Sequence, residues 1–413
     1  MEYQVRLNVR IARLFLVALA VRAQTPAPAG RVWPSEPPAD CPFPNSTAIT
    51  GLRFTGRQIK YTTADTWYPS WGADGRLYSP WTDGTADGLK AVSIGPKATT
   101  GWAVIEGDDP MQLKITSRGA VAAAPEPYGG RYPSASLHHK GIWYYGTYCL
   151  MDSDGNPGTG LNWDILGPFV GFRTSIDNGK TWIETPHTPS QPLFPEPVSP
   201  GGKVKFGAPH FVDFGRDMRN SPGGYAYLVA HGARDPDPSP RPANASWITG
   251  DQIYLARVKP SLRTINDRRK WQFFAGRDSR GRARWTHQFD RIQPLVDWNN
   301  RCGNVSITYN APLAKYLMVV TDGGNTISKF DTWILESASI TGPWRMVTFM
   351  KRFGEQAYFV NFPSKFISLD GRTAWLCYAA NFSNGNANFK EKHLSNPPGS
   401  GYGMCLHEVE LLK

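Results

Sequence analysis

The sequence predicts an all-β fold, a five-bladed β-propeller. Three observations carry that reading. A strand–turn–strand unit recurs five times along the chain. The second strand of each unit is rich in aromatic and β-branched residues. No stretch sustains a helical period. A β-sandwich is the alternative architecture for the same elements.

The first unit runs from Asp65 to Trp71, turns at Ala73-Asp74-Gly75, and returns from Arg76 to Asp83. The second pairs Tyr132–His138 with Ile142–Tyr148 across His139-Lys140-Gly141. The third pairs Gly207–Asp213 with Tyr225–His231 across a loop holding Gly223 and Gly224. The fourth pairs Asn304–Asn310 with Tyr316–Asp322, and the fifth Tyr358–Ile367 with Thr373–Tyr378. Glycine, Asp and Asn supply the turn conformations. Further strand-like segments follow, at 170–175, 252–257, 332–336 and 404–409. Trp182, Trp271 and Trp344 mark the closing strands of three units.

Composition agrees and removes other classes. The chain has 413 residues, 13% aromatic and only 19% charged, so it is not a disordered polymer. Five cysteines are too few for a disulfide scaffold and form no CxxC zinc pair. They allow at most two internal disulfides. Residues 1–23 read as a signal peptide: Arg6, Arg10 and Arg13 precede the apolar run Leu14–Val21, and Ala23 ends a small-residue cleavage site. Residues 24–54 read as a Pro/Ala-rich linker and N-terminal extension, and 55–413 as one propeller domain. Secretion, or a periplasmic location in a bacterium, is the expectation, with no membrane attachment after cleavage. Sequons stand at Asn45, Asn244, Asn304 and Asn381. Loss of residues 1–23 lowers the net charge from +11 to +8. That balance suits an acidic partner. The basic residues read as dispersed, and no nucleic-acid module is present.

Two local sequences carry a resemblance. Ser175-Ile-Asp-Asn-Gly-Lys-Thr-Trp182 resembles the Asp-box of sialidase-like propellers. Ser337-Ala-Ser-Ile-Thr-Gly-Pro-Trp344 resembles the outer-strand ending of five-bladed glycoside hydrolases of the arabinanase, xylosidase and fructosidase type. The first unit is also similar to an uncharacterised propeller family grouped with endo-D-arabinanases. The resemblance covers the chain after about residue 55. It implies a propeller acting on a carbohydrate, as a monomer, with no required cofactor. A structural calcium in the central channel is compatible with it.

In a propeller, the ligand face receives the start of each inner strand and the end of the next. Asp65 opens the first inner strand and is the first choice for base or nucleophile. Glycoside hydrolysis needs a second carboxyl. Glu355, before the fifth inner strand, is the leading acid, with Glu106 and Asp83 as rivals. The same face is expected to present Trp67, Asp83, Tyr132, His231, Arg234, Asn304, Tyr358, Asn361 and Lys365 to substrate. No Glu opens the third or fourth unit. His210 opens the third instead and joins the catalytic candidates. It supports a second reading, a lyase of a uronate polymer, with His210 or Tyr358 as base and Arg131, Arg234 or Lys365 facing the carboxylate. A third reading is a glycan-binding propeller without catalysis. Asp152-Ser-Asp154-Gly reads as a plain turn rather than a calcium loop.

Overall fold

The computed structural model describes residues 30–93, 98–122, 131–151, 165–197, 203–239, 247–324, 328–385 and 392–413. The signal at 1–23, the Asp152–Asp154 turn and Asn244 lie outside them. Among the described residues there is no α-helix, only short 3-10 turns. No helix there is long and apolar enough to cross a membrane.

The strands form five antiparallel blades in a ring. Blade I holds Ser70–Trp71, Leu77–Trp81, Thr99–Glu106 and Lys114–Ala122. Blade II holds Arg131–His139, Ile142–Met151 and Ile165–Ser175. Blade III holds Gly207–Phe211, Ala226–Gly232, Gln252–Val258, Gln272–Arg277 and Ala283–Thr286. Blade IV holds Val305–Asn310, Lys315–Asp322, Asp331–Ser337 and Arg345–Met350. Blade V holds Tyr358–Asn361, Thr373–Ala379 and Cys405–Leu412, and Gly51–Lys60 then pairs on its outside. Both ends of the chain therefore meet in one sheet, with Gly51 opposite Leu412 and Lys60 opposite Cys405. The strand that opens at Gly51 begins inside the stretch read as an extension. Arg31–Val32 adds a last short strand.

Aromatic side chains fill the wedges between blades. Trp67, Trp81, Leu77 and Ile105 of blade I pack with Phe366, Trp375 and Leu406 of blade V. Each such side chain contributes about 1.5–3 kcal/mol by leaving water. The Ser175–Trp182 turn is closed by Asp177, which accepts from the Lys180 and Thr181 amides and the Thr181 hydroxyl. Trp182 then packs against Trp102, Trp143 and Tyr145. All five cysteines are free thiols. Asn45 is exposed, whereas Asn304 and Asn381 are buried and closed to glycosylation in the folded chain.

Candidate active site

The inner strands all run the same way, so their starts surround one mouth of the central channel. Three of them break there. Thr66, Ala208 and Phe359 have φ of 64°, 41° and 53°. The pairing register slips at the same places in blades III and V. A β-branched Thr at positive φ is a real outlier. Such strain costs about 1–3 kcal/mol per residue and gathers at functional sites.

The mouth is a cleft of about 170 Å³ lined by Asp65, Thr66, Asp83, Tyr132, Tyr148, Trp247, Tyr358, Phe359, Phe382 and Tyr402. Aromatic side chains make its walls. Among the described residues, Asp65 and Asp83 are the two carboxyls that line it, and no Lys, Arg or His does.

Two glycines bring the second carboxyl and a tyrosine to Asp65. Gly84 follows Asp83 with φ 155°, and a Cβ there would meet the Thr63 carbonyl oxygen at 1.9 Å. Gly403 follows Tyr402 with φ 135°, and a Cβ there would meet the Thr62 carbonyl oxygen at 1.9 Å. Both segments thus cross the chain just ahead of Asp65, at a distance only glycine permits.

The Asp65 carboxyl is buried and, among the described residues, bonded only to hydroxyls. Thr66 Oγ1 lies 2.8 Å from Oδ1; the Tyr358 and Tyr402 hydroxyls lie 2.8 and 3.0 Å from Oδ2. Burial pushes its pKa up to about 8, the neighbouring Asp83 charge adds to the rise, and the three hydroxyls oppose it. The Tyr402 hydroxyl also lies 2.6 Å from the Asp83 carbonyl oxygen. A phenol has one proton, and a carbonyl can only accept. When that proton serves the carbonyl, a protonated Asp65 can donate to the Tyr402 oxygen. Asp83 is half-buried and accepts from the Ser93 amide at 2.8 Å and the Ser93 hydroxyl at 2.6 Å. Burial raises its pKa as well, and the Ser93 bonds hold that rise back. The pair can hold one proton between two carboxyls.

No protein-family model and no curated protein matches this chain. Solved structures do. A family GH43_1 enzyme from Xanthomonas citri aligns with TM-score 0.45 and 13% identity, over 85% of this chain and 89% of that one. A family 117 glycoside hydrolase from Zobellia galactanivorans gives 0.45 and 12%, over 93% and 91%. An α-L-arabinofuranosidase from Podospora anserina, in complex with cellotriose, gives 0.42 and 10%, over 94% and 99%. The chain is similar to these propellers in the course of its backbone. The reading of the site rests on its own residues.

The structure brings Asp65, Asp83, Tyr132 and Tyr358 together in the cleft, as the strand-start rule expects. It does not bring the others there. Glu355 is buried between blades IV and V, 2.9 Å from Lys329 Nζ. Glu106 ends its strand at the far face, 4.0 Å from Arg76. His210 sits in the channel below the cleft, edge-on to Tyr68 with ring centroids 3.4 Å apart. Burial, and the nearby His231, hold His210 well below the usual histidine range, so it is neutral. His231 is itself fully buried. Asn304 donates to the Trp247 carbonyl and Asn361 to the Trp67 carbonyl, so both tie loops together. Trp67 is buried against Trp81 and offers no face to a sugar. Arg234 reaches Asp297 at 3.6 Å, away from the cleft. Lys365 lies at the far face, donating to the Gly75 carbonyl at 2.7 Å.

Sequence reasoning missed Tyr148, Trp247, Phe359, Phe382 and Tyr402. Trp247 and Phe382 come from long loops with no period to read. Tyr402 carried one usable signal, the glycine after it, which matches the glycine after Asp83. Among the described residues no group of three His, Cys, Asp or Glu is spaced to hold a metal. Among the described residues the channel below the cleft holds one carboxylate, Asp213, whose oxygens already accept from Gly215 and Ser364, together with Ser306 and Thr308, whose hydroxyls already serve the Val360 and Phe362 carbonyls. That donor set does not fit calcium, which takes six to eight oxygens and favours carboxylates.

Proposed function

We propose that the protein is an exported glycoside hydrolase, with Asp65 and Asp83 as its acid and base. The observation that carries this is a carboxyl pair in an aromatic cleft, the buried member holding its proton near neutral pH. Glycoside cleavage needs one carboxyl to protonate the leaving oxygen and one, ionised, on the other side of the bond. Asp65 suits the acid. Its pKa near 8 keeps the proton available, and its hydroxyl partners can reverse direction when the proton leaves. Asp83 suits the ionised partner, because the Ser93 amide can only donate to it. This reverses the role first expected of Asp65. Trp247 and the tyrosines supply apolar faces on which a sugar ring packs.

The lyase reading fares worse. It needs a cation or amide facing the uronate carboxylate, and among the described residues none lines the cleft. The test is digestion of a panel of neutral and acidic glycans, followed by mass. Products heavier by one water per cut support the hydrolase. Unsaturated products with ultraviolet absorbance, or cleavage undiminished in Asp65→Asn, would overturn it.

A further inference from the structure

We propose that the outer edge of blade III is a docking surface for an acidic polysaccharide, separate from the cleft. From Arg257 to Arg291 the chain carries eleven Lys or Arg against three Asp or Glu, a net +8. The whole chain after residue 23 also nets +8, so everything outside this segment sums to zero. The basic excess is therefore concentrated in one segment, which corrects the reading of the basic residues as dispersed.

The segment presents this charge to solvent. Lys259, Arg263, Arg268, Arg269, Lys270, Arg277, Arg280, Arg282, Arg284 and Arg291 are all exposed. Asp267 pairs with Arg269 and Asp278 with Arg282. Arg263, Arg268, Lys270, Arg280, Arg284 and Arg291 have no ion-pair partner among the described residues. The strand pair Gln272–Arg277 and Ala283–Thr286 extends blade III outward and sets the layout. Arg268–Lys270 lead into one end, and Arg277, Arg280 and Arg282 surround the turn at the other. Six residues at about 3.3 Å each separate the ends by about 20 Å. Shallow hollows flank the strip at Arg268–Arg269 and at Arg284 and Arg291. None of these residues lines the cleft.

The chemistry favours a linear polyanion read by charge. Guanidinium forks match carboxylates and sulfates. The aromatic rings are closed to base stacking: Trp271 is buried, and Arg257 covers Trp285 at 3.9 Å. Leu262 is the segment's one exposed large apolar side chain, too little to anchor on a lipid surface. The choice of a polysaccharide rests on the carbohydrate reading of the cleft; the patch does not.

The test is retention of the full chain on immobilised polygalacturonate and on a sulfated glycan at rising salt, against neutral dextran. Binding to the acidic polymers should weaken with salt. The quadruple variant Arg268→Gln, Lys270→Gln, Arg280→Gln, Arg284→Gln should bind roughly tenfold or more weakly, with unchanged thermal melting. A control with Lys60→Gln, Lys90→Gln, Lys114→Gln and Lys180→Gln removes equal charge elsewhere and should bind nearly as the parent. Equal loss in both variants would overturn the proposal, and so would tighter binding to duplex DNA or to phosphatidylserine vesicles than to either glycan. Asp65→Asn should bind the acidic polymers like the parent, so a failure of the hydrolase reading is distinguishable from a failure of the patch.

Discussion

The two mouths of the channel each hold an aspartate, Asp65 buried and Asp213 half-buried, and the two are solvated differently. Asp213, at the far mouth, accepts from the Gly215 and Ser364 amides at 2.9 and 2.7 Å and from the Ser364 hydroxyl at 2.7 Å. The Asp65 carboxyl, at the cleft, has hydroxyl partners alone among the described residues. Burial raises both pKa values. An amide can only donate, so it fixes a carboxylate in one charge state. A hydroxyl donates or accepts, so it follows a proton that comes and goes. Burial therefore does not identify a working acid; the kind of donor around it does. At the far mouth His139 Nδ1 also lies 3.1 Å from Asp217, and Lys365 pairs with Asp108 at 2.9 Å.

That contrast can be broken at its centre. Asp65→Asn should cost about 100- to 10,000-fold in kcat on whichever glycan is cleaved. Asp213→Asn should leave kcat near the parent value while lowering stability by about 1–3 kcal/mol, because an amide donor is left facing amides. Urea melts and turnover of the two variants, side by side, check this. Comparable kcat losses would erase the distinction between the mouths.

A second pair separates wall from wedge. Trp67→Ala should destabilise by about 3–5 kcal/mol, as a large core side chain is lost. Trp247→Ala should destabilise as well, and in addition raise KM, since the buried ring also lines the cleft. Denaturation midpoints and steady-state kinetics distinguish them.

The pH dependence follows from Asp65. Its folded pKa of about 8 lies above the ordinary 3.8, so the folded state holds the proton more tightly. Stability from this group is full below the unfolded value and falls as pH rises between the two. Activity should show a falling limb near pH 8. Asp65→Asn should flatten the stability slope in that window, measured by melts at stepped pH.

The smallest effect sharpens the electrostatics. Tyr358 and Tyr402 hold the Asp65 pKa down. Tyr402→Phe should therefore move the falling limb to higher pH, with a kcat loss much smaller than that of Asp65→Asn. A limb that moves to lower pH would contradict the hydroxyl account.

Five inner hairpins were legible because each pairs local segments across a turn, and alternation with a glycine or aspartate turn is written in consecutive residues. Asp65 and Tyr358 were legible for the same reason: they open inner strands. Asp83 was legible as a strand end, though the glycine bend that carries it to Asp65 was not. The order of the ring's closure was hidden, because Gly51–Lys60 pairs with Cys405–Leu412 across the whole length of the chain.

The sequence by itself determined the blades, the total charge and one of the two carboxyls as a leading candidate. Those are properties of neighbours along the chain. Tertiary structure alone decided that Glu355 and Lys365 are bound elsewhere, that Trp247, Phe382 and Tyr402 wall the cleft, and that the basic segment lies exposed on the outer edge of one blade. The physical reason is that a side chain's pKa, partners and exposure come from groups far away in sequence. Tyr402, 337 positions from Asp65, touches it at 3.0 Å.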